Sequence, residues 1–225
     1  DYKFIPTENT IYAMQNTKAL SLVYGVSPDV MTELNDFNNP PYRSALDIQN
    51  ELVNTMLSGV MDTPNVIRGI YADFTVDNCR YSTYSHSHDY IDENGEKQYG
   101  PTKYHVFTPK EGEDTATITY AFEAEADGPI YFHVSGVLFS GMSTDCQIYV
   151  NGKKVCNYFT NESWVIQNLG TFEKGDSVKV EIEFHNGLLY YAKESDSVFY
   201  YIDYDAMNEA FSALEYGSMY VEEYK

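Results

Sequence analysis

Residues 177–184 read SVKVEIEF, with Val178, Val180, Ile182 and Phe184 on one side of a two-residue period and Ser177, Lys179, Glu181 and Glu183 on the other. Successive side chains of a strand point to opposite faces, so this stretch is a half-buried antiparallel strand that needs a second apolar layer over it. TITYAFEA repeats the pattern with Ile118, Tyr120, Phe122 and Ala124 inward. After the turn Asp127-Gly128-Pro129, the segment IYFHV adds Ile130, Phe132 and Val134. Strands of this kind separated by turn residues predict a two-sheet sandwich from about Asn65 to Tyr190. The 22 Tyr, 12 Phe and 1 Trp among 225 residues are a β-favouring set.

The flanks read differently. YKFI (Tyr2 to Ile5), TIYAM (Thr10 to Met14) and ALSLVYGV (Ala19 to Val26) are short strands of an antiparallel meander. Residues 27–43 are polar and broken by Pro28, Pro40 and Pro41, and read as loop. Ser44 then caps a helix in which Ile48, Leu52 and Met56 recur at helical spacing beside Ala45 and Leu57, with Gly59 as terminator. The polar stretch from Tyr84 to Gly100 reads as a loop or hairpin tip. VFYYI (Val198 to Ile202) is a strand, and Asp203 caps a second helix whose apolar face is Met207, Ala210, Phe211 and Leu214, stopped by Gly217. The closing MYVEEY begins one more strand, which together with a first residue other than Met reads as a piece of something larger.

The expected fold class is therefore mainly β: an antiparallel jelly-roll-like β-sandwich with a small α/β layer formed by the N- and C-terminal segments. Its expected parts are residues 1–64 (strands and helix), 65–190 (sandwich) and 191–225 (strand-helix-strand packing back on the first part).

Charge excludes one class of partner. With 14 Lys+Arg against 34 Asp+Glu, the net charge of −20 repels DNA, RNA and bare anionic lipid. No stretch approaches the roughly 20 apolar residues of a membrane span, and DYKFIPTENT lacks the basic start and apolar run of a signal peptide.

Catalytic and metal chemistry find little purchase. His86, His88 and Asp89 stand close together, but so few adjacent ligands fall short of a zinc site, and His105, His133 and His185 are scattered through strand patterns. There is no G-x-S-x-G, no catalytic Cys/His signature and no P-loop. The reading is no catalytic residue, no metal and no cofactor. A two-residue hairpin turn at Asn151-Gly152 pairs Val150 with Lys153, Ile148 with Val155 and Cys146 with Asn157. Cys156 then faces away from Cys146, which with the unpartnered Cys79 predicts three free thiols. The same register puts Tyr149 and Tyr158 on the face opposite Ile148. Aromatic rings on a sheet face or loop can stack against sugars, which makes Trp164, Tyr149, Tyr158, Tyr190 and Tyr191 the candidate glycan-binding residues.

ITYAFEAEADGPIYFHV followed by IYVNGKKVCNYFTNESWVIQNLGTFEKGDSVKVEIEF resembles the extracytoplasmic C-terminal region of the bacterial YfhO membrane protein family. The order of segments matches too: ENTIYAMQNTKALSLVYGV resembles that family's lead-in, ALDIQNEL its Gln-Asn helix, and FYYIDYDAMNEAFSAL its strand and helix after the sandwich. Ser21, where the family often has Pro, and the Tyr-rich LLYYAKESDSVFYY depart from it. The resemblance implies a non-catalytic accessory domain on the extracytoplasmic face of the bacterial membrane. The parent would be a polytopic glycosyltransferase that uses lipid-linked sugars and decorates lipoteichoic acid or related surface polymers. Its partners would be the membrane-embedded remainder of the polypeptide and a cell-surface glycan. The alternative is a structural or protein-interaction sandwich with no ligand.

Overall fold

The alternation in SVKVEIEF does what it predicts: Val178, Val180, Ile182 and Phe184 are all buried, at the middle of a five-stranded sheet. A computed structural model describes residues 2–5, 13–16, 45–57, 61, 65–91, 97–134, 144–159, 166–185, 187–193 and 196–216. In chain order these hold β1 (Tyr2–Ile5), β2 (Ala13–Asn16), α1 (Ala45–Met56), β3 (Ile67–Ile70), β4 (Asp73–Asp77), β5 (Cys79–Ile91), β6 (Lys97–Pro109) and β7 (Ala116–Glu123). There follow β8 (Gly128–Phe132), β9 (Asp145–Val150), β10 (Lys153–Phe159), β11 (Gln167–Phe172), β12 (Ser177–Phe184), β13 (Leu189–Ala192), β14 (Phe199–Ile202) and α2 (Tyr204–Tyr216). The fold is mostly β and antiparallel, as expected. ALSLVYGV, residues 27–43, the caps Ser44, Gly59 and Gly217, and MYVEEY lie outside the described residues, whereas YKFI is β1 and TIYAM falls partly on β2.

The strand orders are β10-β9-β12-β7-β4, β11-β8-β14-β3 and β13-β6-β5, with β1 and β2 as a separate pair. One core joins the three larger sheets. Phe132 of β8 meets Tyr158 of β10 edge-on at 4.8 Å, Phe199 of β14 meets Tyr120 of β7 at 5.0 Å, and Phe107 of β6 meets Phe74 of β4 at 5.1 Å. Edge-to-face rings at these distances add about 0.5–1.5 kcal/mol per pair beyond the area they bury. The five-stranded sheet thus touches both others through its inner face.

Three local readings change. The stretch from Tyr84 to Gly100 falls largely in one long hairpin, β5 pairing with β6 from Cys79↔Pro109 to Ile91↔Lys97. β5 is an edge strand whose polar residues from Arg80 to Ser85 are exposed on both faces, so no apolar period marks it. β14, expected with the terminal layer, hydrogen-bonds between β8 and β3 inside the four-stranded sheet. Among the side chains described in and just after α1, the buried ones are Leu46, Asn50 and Leu57, with half-buried Val53 on the same stripe, while the side chains of Ala45 and Ile48 lie outside those described. Asn50 sets that face: its amide donates to Ile67 O (2.8 Å) and accepts from Ile67 N–H (2.9 Å), acting as a partner for the edge of β3.

Asp203 caps α2 as expected, its Oδ1 accepting the Ala206 N–H at 2.9 Å. Its Oδ2 takes an Arg68 ion pair at 2.9 Å. Ala206 and Ala210 join Leu57 and Val66 in a second cluster, against which Met56, Met207 and Phe211 pack.

The Asn-Gly turn forms, with φ of 49° at Asn151 and 78° at Gly152, but of the three expected pairs only Val150 with Lys153 holds, followed by Tyr149 with Lys154. A bulge at Val155 then pairs Cys156 with Ile148 and Tyr158 with Cys146. The regular register would bury Asn157 and expose Tyr158. The bulge instead pushes Val155 to the surface and sends Tyr158 inward, where its hydroxyl accepts the Val134 N–H at 3.2 Å. Cys146 and Cys156 therefore share a face, yet all three cysteines are free thiols. Burial pushes the Cys146 thiol up to about 12.

Candidate functional site

The outward face of the five-stranded sheet follows from the same alternation that buries its inner face. Register places Thr75, Thr119, Glu181, Tyr149 and Lys154 side by side across β4, β7, β12, β9 and β10. The row below it runs Asp77, Thr117, Glu183, Gln147 and Asn157. Tyr149, half-buried, is the one aromatic ring in either row.

Gln147 organises the centre of this face. Its Oε1 accepts from the Tyr149 hydroxyl at 3.2 Å and from Lys154 Nζ at 2.7 Å. Beside it Lys179 Nζ donates to Glu181 Oε1 at 2.7 Å, a charge pair that is locally neutral. Asn151 fixes the β9–β10 turn on β12, its Oδ1 accepting the Lys179 N–H at 2.9 Å. The result is a flat, polar surface with one ring fixed by a hydrogen bond at its tip and with amide, ammonium and carboxylate groups around it. Such a surface can stack one face of a sugar ring and hydrogen-bond its hydroxyls.

Three of the other four candidate rings lie elsewhere. Tyr158, Tyr190 and Tyr191 are 3%, 2% and 3% exposed, so their faces are filled by protein. Tyr158 packs on Phe132, Tyr190 meets Tyr104 edge-on at 6.4 Å, and Tyr191 shares a hydroxyl contact of 3.3 Å with Tyr120. Trp164 lies outside the described residues. Gln147, Lys154 and Glu181 were not among the candidate glycan-binding residues. The alternation of DCQIYV and SVKVEIEF marks Gln147 and Glu181 as outward and sets Gln147 beside Tyr149 on β9, but only the strand order makes Glu181 a neighbour of Tyr149.

His86 sits in β5, its ring 6.3 Å from Tyr84 and close to parallel. Among the described residues no group of three or more His, Cys, Asp or Glu is placed to hold a metal ion. No helix among them is long and apolar enough to cross a membrane.

The native structure of a family 35 carbohydrate binding module from Clostridium thermocellum superimposes with a TM-score of 0.34 at 12% identity, covering 60% of this chain and 98% of that one. No curated protein matches the chain. The model of the family described as bacterial membrane protein YfhO matches residues 1–225, all of the sequence, and the chain belongs to that family.

Proposed function

We propose that this chain is an extracytoplasmic domain of a polytopic membrane protein, with no glycosyl transfer or glycan hydrolysis of its own, and that it holds a glycan on the outward face of the five-stranded sheet. The observation that carries the reading is Tyr149, a ring half-open to solvent and tethered through its hydroxyl to Gln147, amid Lys154, Lys179 and Glu181. Membership of a membrane protein family supports the membrane-embedded remainder of the same polypeptide as the partner. In this reading the parent is a glycosyltransferase that uses lipid-linked sugars on lipoteichoic acid or another surface polymer, and of the division into 1–64, 65–190 and 191–225 the middle part is extended by β14, which the last segment lends to the four-stranded sheet. The net charge of −20 favours a neutral or cationic glycan, since a bare polyphosphate backbone is repelled beyond the reach of a local patch such as Lys153 and Lys154.

A glycan array probed with the 225-residue chain tests this, followed by titration calorimetry of wild type, Tyr149→Ala and Trp164→Ala. Weak binding to an envelope glycan is expected, with Tyr149→Ala costing about 0.5–1.5 kcal/mol. Binding to no envelope glycan would replace this reading with that of a structural domain.

A further inference from the structure

On the three-stranded sheet a buried histidine links two surface groups. His105 of β6 lies 2.9 Å through Nδ1 from the Tyr81 hydroxyl of β5, and 3.1 Å through Nε2 from Asp196 Oδ1 in the segment between β13 and β14. A carboxylate only accepts, so Nε2 carries the proton and Nδ1 is left to accept the Tyr81 O–H. The imidazole cannot swing away: Tyr191 covers it at 4.7 Å, Phe74 meets it edge-on at 6.1 Å and Phe107 lies near-parallel at 6.4 Å. Asp196 is fixed as well, in the left-handed region at φ 42° that Asp tolerates better than most side chains, with its N–H on Lys193 O at 3.1 Å. The His105 side chain is 10% exposed, but Tyr81 is 38% exposed. A hydroxyl on a partly exposed residue, a base in hydrogen-bond reach and a third group orienting the base form the arrangement that activates nucleophiles.

We propose that Tyr81 is a nucleophile activated by His105 and Asp196, and that it takes an acyl group from an activated acyl ester. The Tyr81 oxygen attacks the ester carbonyl, its proton passes to His105 Nδ1, and the imidazolium is held against Asp196. Collapse of the tetrahedral intermediate breaks the bond to the leaving group, which takes the proton back from His105 as it departs. The products are a tyrosyl ester and the free alcohol or thiol, with no change of oxidation state. The step makes and breaks acyl–oxygen or acyl–sulfur bonds and no glycosidic bond, so it stands apart from the glycan-holding face and survives or fails independently of it.

The test uses the 225-residue chain and p-nitrophenyl acetate, with acetylated tyrosines located by peptide mass spectrometry. Tyr71 and Tyr99 are 70% and 73% exposed and serve as internal references for a merely accessible phenol. Tyr81 is expected to acetylate on the order of 100-fold faster than either, the lower end of what a positioned general base supplies. His105→Gln should bring Tyr81 down to the reference rate. Asp196→Asn, a change at a surface residue that leaves the packing in place, should slow it about ten-fold or more, with circular dichroism confirming that the variants are folded. Tyr81 reacting no faster than Tyr71 and Tyr99, or at an unchanged rate in folded Asp196→Asn and His105→Gln, would show that the three residues only fasten β5 and β6 to the segment after β13, and would overturn the proposal.

Discussion

In the five-stranded sheet the face turned away from the core carries Thr75, Thr119, Glu181 and Lys154 around one tyrosine. In the three-stranded sheet the corresponding face buries Tyr104 and Tyr190, while Phe107, Leu189 and Tyr191 are buried on the other side. The two sheets share a core, yet one is covered on one face and the other on both. A sheet covered once leaves a regular polar surface free to meet a ligand. A sheet covered twice spends its aromatic residues on packing, and its chemistry survives only at the edge, where Tyr81 and Asp196 reach solvent.

The difference can be broken by mutation. Phe107→Ala should destabilise by about 3–5 kcal/mol and Tyr190→Ala by a similar amount, since each empties a fully packed position on opposite faces of one sheet; chemical denaturation measures both. A Tyr190→Ala variant as stable as wild type would show that the second face is not packed.

The inner face of the five-stranded sheet can be read through pH. Burial raises the Cys146 thiol from the ordinary value of 9.0 to about 12, so the folded state favours the neutral form. The stability this contributes is whole below pH 9 and is lost as pH rises through about 12. Wild type should therefore lose more stability than Cys146→Ala over that window, compared by denaturation at each pH.

Asn50→Ala, measured the same way, should cost about 1–3 kcal/mol, because it strands the Ile67 N–H and C=O at the edge of β3. Lys179→Ala on the outward face of the five-stranded sheet should stay within about 0.5 kcal/mol, for an exposed ion pair contributes little.

These regions were not equally legible in the sequence. β7, β8 and β12 could be read residue by residue, because one-sided burial writes an alternation of apolar and polar residues. Between β11 and β12 a short turn is pinned by side chains: Asp176 Oδ2 accepts the Glu173 N–H at 2.9 Å, and Asp127 Oδ1 ties Lys174 N–H at 2.7 Å to the turn before β8. β5 and β13 were opaque for opposite reasons. The exposed part of β5 has polar residues on both faces, and β13 has Leu189, Tyr190 and Tyr191 buried in succession, so neither has a period to find.

The β9–β10 hairpin shows a finer failure. Turn chemistry alone fixed the register near Asn151-Gly152, while the pattern Val155, Cys156, Asn157, Tyr158 already held the cost of continuing it, a buried Asn and an exposed Tyr. For the candidate site, Tyr149 was visible as an outward ring, with Gln147 two residues before it on β9 and Lys154 opposite it in the hairpin, but Glu181 joins them only through the strand order.

The proposed seat of the glycan is the outward face of the five-stranded sheet. Amide chemical-shift mapping of the 225-residue chain, titrated with the array's best-bound envelope oligosaccharide or with fragments of each candidate polymer in turn, tests it most directly. Saturable shifts are predicted at Gln147, Tyr149, Lys154, Lys179 and Glu181, with inner neighbours such as Ile148 and Val180 moving less. Saturable shifts confined to the β5–β6 hairpin, or none with any of the oligosaccharides, would contradict it.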